Sequence, residues 1–562
     1  MSVPLVQVNN LHIQFCDNEG LATTVVNNIS FNVPRGQITA LIGESGSGKS
    51  VTALSFLQLL PKQATINGEI LLSEDDVTTT NLLTLPAKAM QQLRGNKVAM
   101  IFQEPMTALN PVYTCGIQVM EAIIQHKKLS KAAAKKAVID LFTLVELPEP
   151  EQLFKKYPYQ ISGGQKQRVM IAMAMSCGPA LLIADEPTTA LDVRVQKNIL
   201  LLIKKLQHTH QLSVLFITHD LTLVAAIAEN VVVLYKGNVV EQGATKNVLQ
   251  QPQHAYTKAL LLCKPSPAQK GFTLPTVAHL MHQTLVPIPI ATAPVIESNP
   301  ILSIKNVTIQ YPVKKNIFGK PTQLFTAVNK VSFDVYKNEI IGIVGESGCG
   351  KTTLGNAILG LQPLTEGSIT LNQQVISNAT AAQMKQVRSQ MQMVFQDPYG
   401  SLNPRISIGD AIMEPMVVHQ KFGSKKQQQQ ATLQLLAQVN MPASTIHKFP
   451  HQLSGGQRQR ICIARALAVE PSFLVFDESV AALDVSVQAQ VLNLINELKA
   501  SHSFTAIFIS HDLAVVQYLC NRVMVMQQGV IVETGKVNDV FFNPQHAYTK
   551  ELLAALPNHE KW

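Results

Sequence analysis

No stretch of this sequence stays apolar long enough to span a bilayer. The longest weakly charged run, Val169 to Ala184, is interrupted by Ser176-Cys177-Gly178-Pro179. It falls short of the about 18–20 residues a crossing helix needs, and reads as a buried helix followed by a strand. Met1 to Gln14 lacks a basic start followed by a long apolar run, so no secretory signal is expected there. Paired cysteines are missing too. The seven cysteines (16, 115, 177, 263, 349, 462 and 520) stand singly, with no Cys-x-x-Cys and no His/Cys cluster. That excludes zinc-ribbon and dithiol spacings and predicts reduced small core or loop residues in a cytosolic protein. With 46% hydrophobic and 15% charged residues the chain is globular, not disordered. The net charge of +9 fits nucleic acid or an anionic membrane face equally and decides nothing alone. Lys127, Lys128, Lys131, Lys135 and Lys136 lie in a helical, alanine-rich stretch and read as a solvated face.

What is present is a duplication. Val8-Asn-Asn-Leu-His-Ile-Gln-Phe15 returns as Ile304-Lys-Asn-Val-Thr-Ile-Gln-Tyr311, and Ile101-Phe-Gln103-Glu-Pro as Val394-Phe-Gln396-Asp-Pro. Ser162-Gly-Gly-Gln165 returns at Ser454–Gln457, Asp185-Glu186 at Asp477-Glu478, and His219-Asp-Leu at His511-Asp-Leu. Gln253-His-Ala-Tyr-Thr-Lys258 matches Gln545-His-Ala-Tyr-Thr-Lys550. A repeat of about 300 residues is a duplicated domain, too long for a solenoid unit. A chain of 562 residues has room for both copies as α/β domains.

Each copy carries a glycine-rich loop between an apolar strand and a helix. The first is Gly43, Glu44, Ser45, Gly46, Ser47, Gly48, Lys49 and Ser50, followed by Val51. The second is Gly345, Glu346, Ser347, Gly348, Cys349, Gly350, Lys351 and Thr352, followed by Thr353. In this setting backbone N–H groups meet phosphate oxygens at a helix N-terminus. The lysine reaches the β- and γ-phosphates, and the Ser or Thr hydroxyl ligates Mg²⁺. Two such loops predict two bound nucleoside triphosphates. Val214–Thr218 and Ala506–Ser510 read as buried parallel strands whose C-terminal ends face the ligand. Helix-rich inserts are expected from about Pro105 to Tyr159 and from Pro398 to Pro450.

Gln160-Ile-Ser-Gly-Gly-Gln-Lys-Gln-Arg168 and Gln452-Leu-Ser-Gly-Gly-Gln-Arg-Gln-Arg460 resemble the signature of the ATP-binding-cassette ATPases. The resemblance covers both halves nearly end to end. On its own terms Ser-Gly-Gly at a helix start is a second anion site, with N–H donors, a hydroxyl and no steric obstruction. The resemblance implies an α/β fold with two P-loop domains, each with a RecA-like core, an antiparallel β subdomain and a helical subdomain. It also implies a head-to-tail pairing in which Lys49 and Ser50 work with Ser454, Gly455, Gly456 and Gln457, and Lys351 and Thr352 with Ser162, Gly163, Gly164 and Gln165. Asp185 and Asp477 resemble the Mg²⁺-organising aspartates, and Glu186 and Glu478 the general bases for in-line attack by water. Gln103 and Gln396 resemble the loop glutamines that touch Mg²⁺ and water, and His219 and His511 the γ-phosphate sensors. Asp192 and Asp484 resemble the cross-interface loop, and Phe15 and Tyr311 are candidates to stack on adenine. Both halves keep every phosphate-facing group, so two competent sites are expected. The departures (Ile161 for the usual leucine, Met173 opposite Arg465, Ser479 opposite Pro187) remove none of them.

The expected layout is a first cassette at 1–264, a proline-rich linker of extended, semi-rigid character at 265–300, and a second cassette at 301–562. Phe102-Gln-Glu-Pro-Met-Thr-Ala-Leu-Asn-Pro111, Asp484-Val-Ser-Val-Gln-Ala-Gln-Val-Leu-Asn493 and the paired His-Ala-Tyr-Thr-Lys resemble the ATPases of bacterial peptide/nickel importers. Some separate subunits of that group carry a C-terminal cysteine cluster; only Cys263 lies in the corresponding tail here, which leaves an iron–sulfur centre unsupported. The resemblance implies a peripheral motor on the cytoplasmic face of the inner membrane. It would dock through its inserts on two membrane-spanning permease subunits and be fed by a solute-binding protein, with ATP and Mg²⁺ as cofactors and no nucleic-acid partner. The alternatives are a soluble twin-cassette ATPase acting on ribosomes or nucleic acid, for which a long charged helical linker would be usual, and an efflux motor.

Overall fold

The computed structural model describes residues 3–16, 22–73, 78–103, 108–188, 191–281, 288–290, 296–315, 321–481 and 483–555. The start of the first insert, residues 105–107, and much of the later linker lie outside them. The chain divides into two compact units, and the division falls at residues 261 and 262.

The first unit is built on a six-stranded sheet. Its strands run in the order Asn238–Ala244, Asn230–Tyr235, Ile38–Ile42, Ser213–Thr218, Leu181–Asp185, Val98–Ile101. The five from Asn230–Tyr235 onward pair in parallel, and Asn238–Ala244 closes the edge antiparallel. Ile38–Ile42, Leu181–Asp185 and Ser213–Thr218 are buried at every position. This explains why they read as unbroken apolar runs: a parallel strand covered on both faces has no solvent side to mark by alternation. A second, antiparallel sheet orders Ala22–Val33, Val6–Cys16, Ala64–Ser73 and Thr79–Asn81. One of the unit's cores lies between this sheet and the first, with Leu11, Ile13, Phe56, Ile183 and Ile217 in it.

Between the parallel neighbours Val98–Ile101 and Leu181–Asp185 the chain makes the helical excursion that was expected, with helices Cys115–Lys127 and Lys131–Leu144. They are separated by Lys128 in the left-handed conformation, and Ser130 caps the second by accepting from the Ala133 N–H. Lys127, Lys128, Lys131, Lys135 and Lys136 are exposed, as a solvated face requires. Val169–Ala184 resolves into the end of helix Gly163–Met175 and the strand Leu181–Asp185.

The second unit repeats this plan. Its main sheet orders Met391–Val394, Phe473–Asp477, Thr505–Ile509, Ile340–Val344, Arg522–Gln527 and Val530–Lys536, and its insert carries helices Ile408–Val418 and Lys425–Gln438. All seven cysteines are free thiols, and five are buried.

The linker departs from the extended reading. Residues 262–279 group with the second unit. Pro267–Gln269 forms a 3-10 turn, Gly271 turns the chain at φ +88°, and Thr273 N–H and Ile290 N–H close a small clip with the Ile288 and Gly271 carbonyls at 2.9 Å each. The clip is fastened to helices Val485–His502 and Leu513–Leu519. The Asn493 side-chain amide accepts from Leu274 N–H and donates to the Leu274 carbonyl, both at 2.8 Å and both buried. Tyr518 hydroxyl donates to the Phe272 carbonyl at 2.9 Å, and Lys270 Nζ donates to the Cys520 carbonyl at 2.7 Å. The prolines stiffen this segment without leaving it free, because its backbone groups find side-chain partners on the helices.

Candidate nucleotide sites

In each unit the glycine-rich loop follows the central strand and opens a helix, Lys49–Ser55 or Lys351–Ile358, whose N-cap glycine is left-handed (Gly48 at φ +100°, Gly350 at φ +107°). A Cβ at Gly48 would come within 2.9 Å of Val26 Cγ2, so no other residue fits without displacement. Outward, the space above Gly46 and Gly348 is open, with no atom within 4 Å of a Cβ placed there. Lys49 is buried at 6% exposure and donates to the carbonyls of Gly43 and Glu44 at 2.7 and 2.9 Å. Lys351 repeats this with Gly345 and Glu346 at the same two distances.

The acid pairs stand where each strand ends. Ser50 hydroxyl donates to Asp185 Oδ1 at 3.2 Å, and Thr352 hydroxyl to Asp477 Oδ1 at 3.1 Å. Burial pushes Asp185 and Asp477 up to about 6, assisted by the neighbouring glutamate and opposed by the hydroxyl and the loop lysine. Among the described residues no three His, Cys, Asp or Glu side chains cluster as a metal cage. One hydroxyl, one carboxylate and a glutamine nearby are hard oxygen donors. That set fits Mg²⁺, which takes one or two protein carboxylates and completes its shell with substrate phosphates and water.

Glu186 and Glu478 sit at φ +46° and +44°, in a region non-glycine residues seldom occupy. Their N–H groups bond the Ile217 and Ile509 carbonyls of the next strand at 2.9 Å, which holds the turn. The strained backbone directs each carboxylate toward a glutamine and a histidine. Gln103 Nε2 donates to Glu186 at 2.9 Å, and His219 Nδ1 lies 3.1 Å away. In the second unit Gln396 Nε2 donates to Glu478 at 2.9 Å, with His511 Nδ1 at 3.3 Å. Burial alone would raise Glu478, but the His511 hydrogen bond and charge, with Lys351, bring it below the usual carboxylate range. Burial would lower His511, and the Glu478 contact reverses that and raises it. Each site therefore joins lysine, hydroxyl, aspartate, glutamate, glutamine and histidine in one cluster, with distances that differ between units by at most about 0.2 Å.

The signature residues open helices. Ser162 and Ser454 are N-caps whose hydroxyls accept from the Gln165 and Gln457 N–H groups, and those glutamine side chains accept in return from the serine N–H groups at 3.0 Å. This reciprocal capping box fixes the helix start and leaves each serine O–H available to donate. Asp192 caps its helix through the Val195 N–H at 2.9 Å, and Asp484 starts the matching helix. Phe15 and Tyr311 lie on the antiparallel sheet, Phe15 half-buried and Tyr311 36% exposed.

One pair of residues escaped the reading of the sequence. Tyr256 and Tyr548, fully and nearly fully buried, accept with their hydroxyls from the Glu44 and Glu346 N–H groups at 3.0 Å. The available signal was the repeated His-Ala-Tyr-Thr-Lys, which marks a subgroup but does not by itself disclose a contact with the phosphate loop.

The family described as "ABC transporter" matches residues 26–189 and 328–481, which together make up more than half of the chain. The chain belongs to the ABC transporter family. A second family, "Oligopeptide/dipeptide transporter, C-terminal region", matches residues 240–283 and 532–562 and so takes in both tyrosines. Glutathione import ATP-binding protein GsiA of Pectobacterium atrosepticum is 43% identical over 560 residues, 98% of this chain and 89% of that protein. The GsiA protein of Escherichia coli K12 is 44% identical with the same coverage. This ABC protein is thus an ATP-binding ATPase subunit of the peptide-importer type. The reading as a soluble twin-cassette factor for ribosomes or nucleic acid finds no support in these matches. Among the described residues no helix is long and apolar enough to cross a membrane.

Proposed function

We propose that this chain drives import of glutathione or similarly small peptides by hydrolysing two Mg·ATP between its cassettes. The observation that carries the reading is the duplicated cluster, lysine to histidine, with matching geometry in two units whose relatives are glutathione import ATPases. Ser50 with Asp185 and Gln103, and Thr352 with Asp477 and Gln396, would hold Mg²⁺. Bound there, the ion would supply charge neutralisation to the phosphate oxygens. Lys49 and Lys351 turn their ammonium groups to the β- and γ-phosphates, and the loop N–H groups complete that cradle.

Glu186 and Glu478 orient water and take its proton, while His219 and His511 bridge each glutamate to the γ-phosphate. The Ser-Gly-Gly of one cassette closes over the nucleotide of the other, so loss of the γ-phosphate releases the halves. Phe15 and Tyr311 stack on adenine. Two permease subunits receive the stroke on the cytoplasmic face of the inner membrane, and a separate solute-binding protein delivers the peptide. A first cassette at 1–264 and a second at 301–562 are joined by residues 265–300.

The permease contact is assigned to the groove beside each insert. In the second unit a cavity of about 340 Å³ is lined by Leu361, Phe395, Glu414, Val418 and Arg465 among others, and Leu361, Phe395 and Val418 are 43–51% exposed. Leu59 and Phe102 repeat the first two, each 40% exposed. Apolar side chains left this open around a groove favour an amphipathic partner helix. Leu361→Asp with Val418→Asp should abolish co-purification with the permease subunits and peptide uptake into vesicles, while ATPase of the isolated subunit stays within about twofold of wild type. Retained uptake would refute the docking assignment. Uptake of no peptide by the wild-type complex, with its ATPase intact, would refute the substrate class.

A further inference from the structure

The buried tyrosines of the C-terminal repeat hold one particular peptide unit of each phosphate loop. The peptide joining Gly43 to Glu44 is gripped from both sides. Its N–H donates to Tyr256 hydroxyl at 3.0 Å, and its carbonyl accepts from Lys49 Nζ at 2.7 Å. The Gly345–Glu346 peptide is gripped in the same way by Tyr548 at 3.0 Å and Lys351 at 2.7 Å. A peptide is planar, so fixing the N–H direction fixes the carbonyl direction and with it the resting place of the ammonium.

The tyrosines are themselves anchored. Tyr256 N–H donates to His254 Nδ1 at 3.1 Å, and the Gln253 and His254 N–H groups both donate to the Glu241 carboxylate, at 2.8 and 3.1 Å. Tyr548, His546, Gln545 and Glu533 repeat these bonds at 3.2, 2.8 and 3.1 Å. Tyr256 also packs on Tyr235 with ring centroids 4.2 Å apart. A side chain that merely filled space would not need its hydroxyl under the loop twice over. It would also not need a carboxylate and an imidazole to set the turn that carries it.

We propose that Tyr256 and Tyr548 are positioning residues for nucleotide binding, through which the transporter-type C-terminal region sets the affinity of each phosphate loop for ATP. The proposal rests on Lys49 and Lys351 being the triphosphate lysines. Phe in place of Tyr keeps the ring and removes the hydroxyl, which takes the acceptor from a part-buried N–H on the side of the plane away from the lysine. In the full-length protein Tyr256→Phe with Tyr548→Phe should raise the ATP KM about five- to tenfold and leave kcat within about twofold, because the loss falls on a bond made before and during the reaction alike. Glu241→Gln with Glu533→Gln, acting one step further out, should shift KM in the same direction by less.

A purely structural hydroxyl would lower Tm with KM unmoved, and an unchanged KM in the double Phe variant overturns the proposal whatever happens to Tm. Lys49→Ala with Lys351→Ala separates the two readings. If those changes leave ATP binding intact, the site assignment fails. If they abolish it while the Phe variant binds normally, only the tyrosine proposal fails.

Discussion

Changing Glu186 and Glu478 together to Gln should lower ATP turnover by about 10²- to 10³-fold while ATP still binds, leaving a stable nucleotide-loaded protein. The geometry makes the change nearly isosteric. The Gln103 and Gln396 amides donate to those carboxylates at 2.9 Å, and a glutamine carbonyl can accept the same bond. What is lost is the proton acceptor, and with it the charge that raises His511. Single-turnover hydrolysis of radiolabelled ATP, with retained nucleotide counted on a filter, reads both quantities. Hydrolysis by the double variant at the wild-type rate would remove both glutamates from the mechanism. The single variants report on coupling: half or more of the turnover left in each would mean independent sites.

The second large effect opposes stability to activity. Asp185 and Asp477 are about 4% and 3% exposed, and burial places their ionisation near 6, against about 3.8 in the unfolded chain. Between those values the unfolded chain has released its proton and the folded one retains it. Each carboxylate therefore costs nothing below about pH 4, and its cost grows to a plateau above about pH 6. A displacement of about two pH units corresponds to about 3 kcal/mol per site at neutral pH as an order of magnitude. Asn has no charge to bury and keeps an acceptor for Ser50 or Thr352. Asp185→Asn with Asp477→Asn should thus melt several degrees higher than wild type at pH 7.5 in Mg²⁺-free buffer, with the gap closing toward pH 4, and lose turnover by about 10²-fold or more. Differential scanning calorimetry across pH checks this; a gap that widened on acidification would have the wrong sign.

Much of this site could be read from residue order alone. A strand, a glycine-rich turn and a helix follow one another without a break at each loop, and the acid pairs end strands whose apolar runs are unmistakable. The reciprocal cap at Ser162 and Gln165 went unread, although Ser-x-x-Gln before a helix is its pattern. The tyrosine brace was not legible. Tyr256 meets Glu44 across 212 residues, and nothing local distinguishes that hydroxyl from one facing water. The linker misled for a related reason. Its prolines speak of stiffness, whereas its fate depends on Asn493 and Tyr518, 219 and 246 residues further on. The first half has Leu201 where the second has Asn493, and Leu201 is 57% exposed, so the receptor for this segment belongs to one copy only.

That asymmetry determines where the gene should be cut if the halves are to be compared. A recombinant C-terminal lobe beginning at Pro300 would strip the cover from Asn493 and Tyr518 and uncap the carbonyl at the end of Leu513–Leu519. One beginning at Leu262 keeps these partners and should be the more soluble and the later to melt. A feeble ATPase in the shorter fragment would then report a damaged surface, and only the longer one can tell whether a solitary lobe is idle for want of its twin.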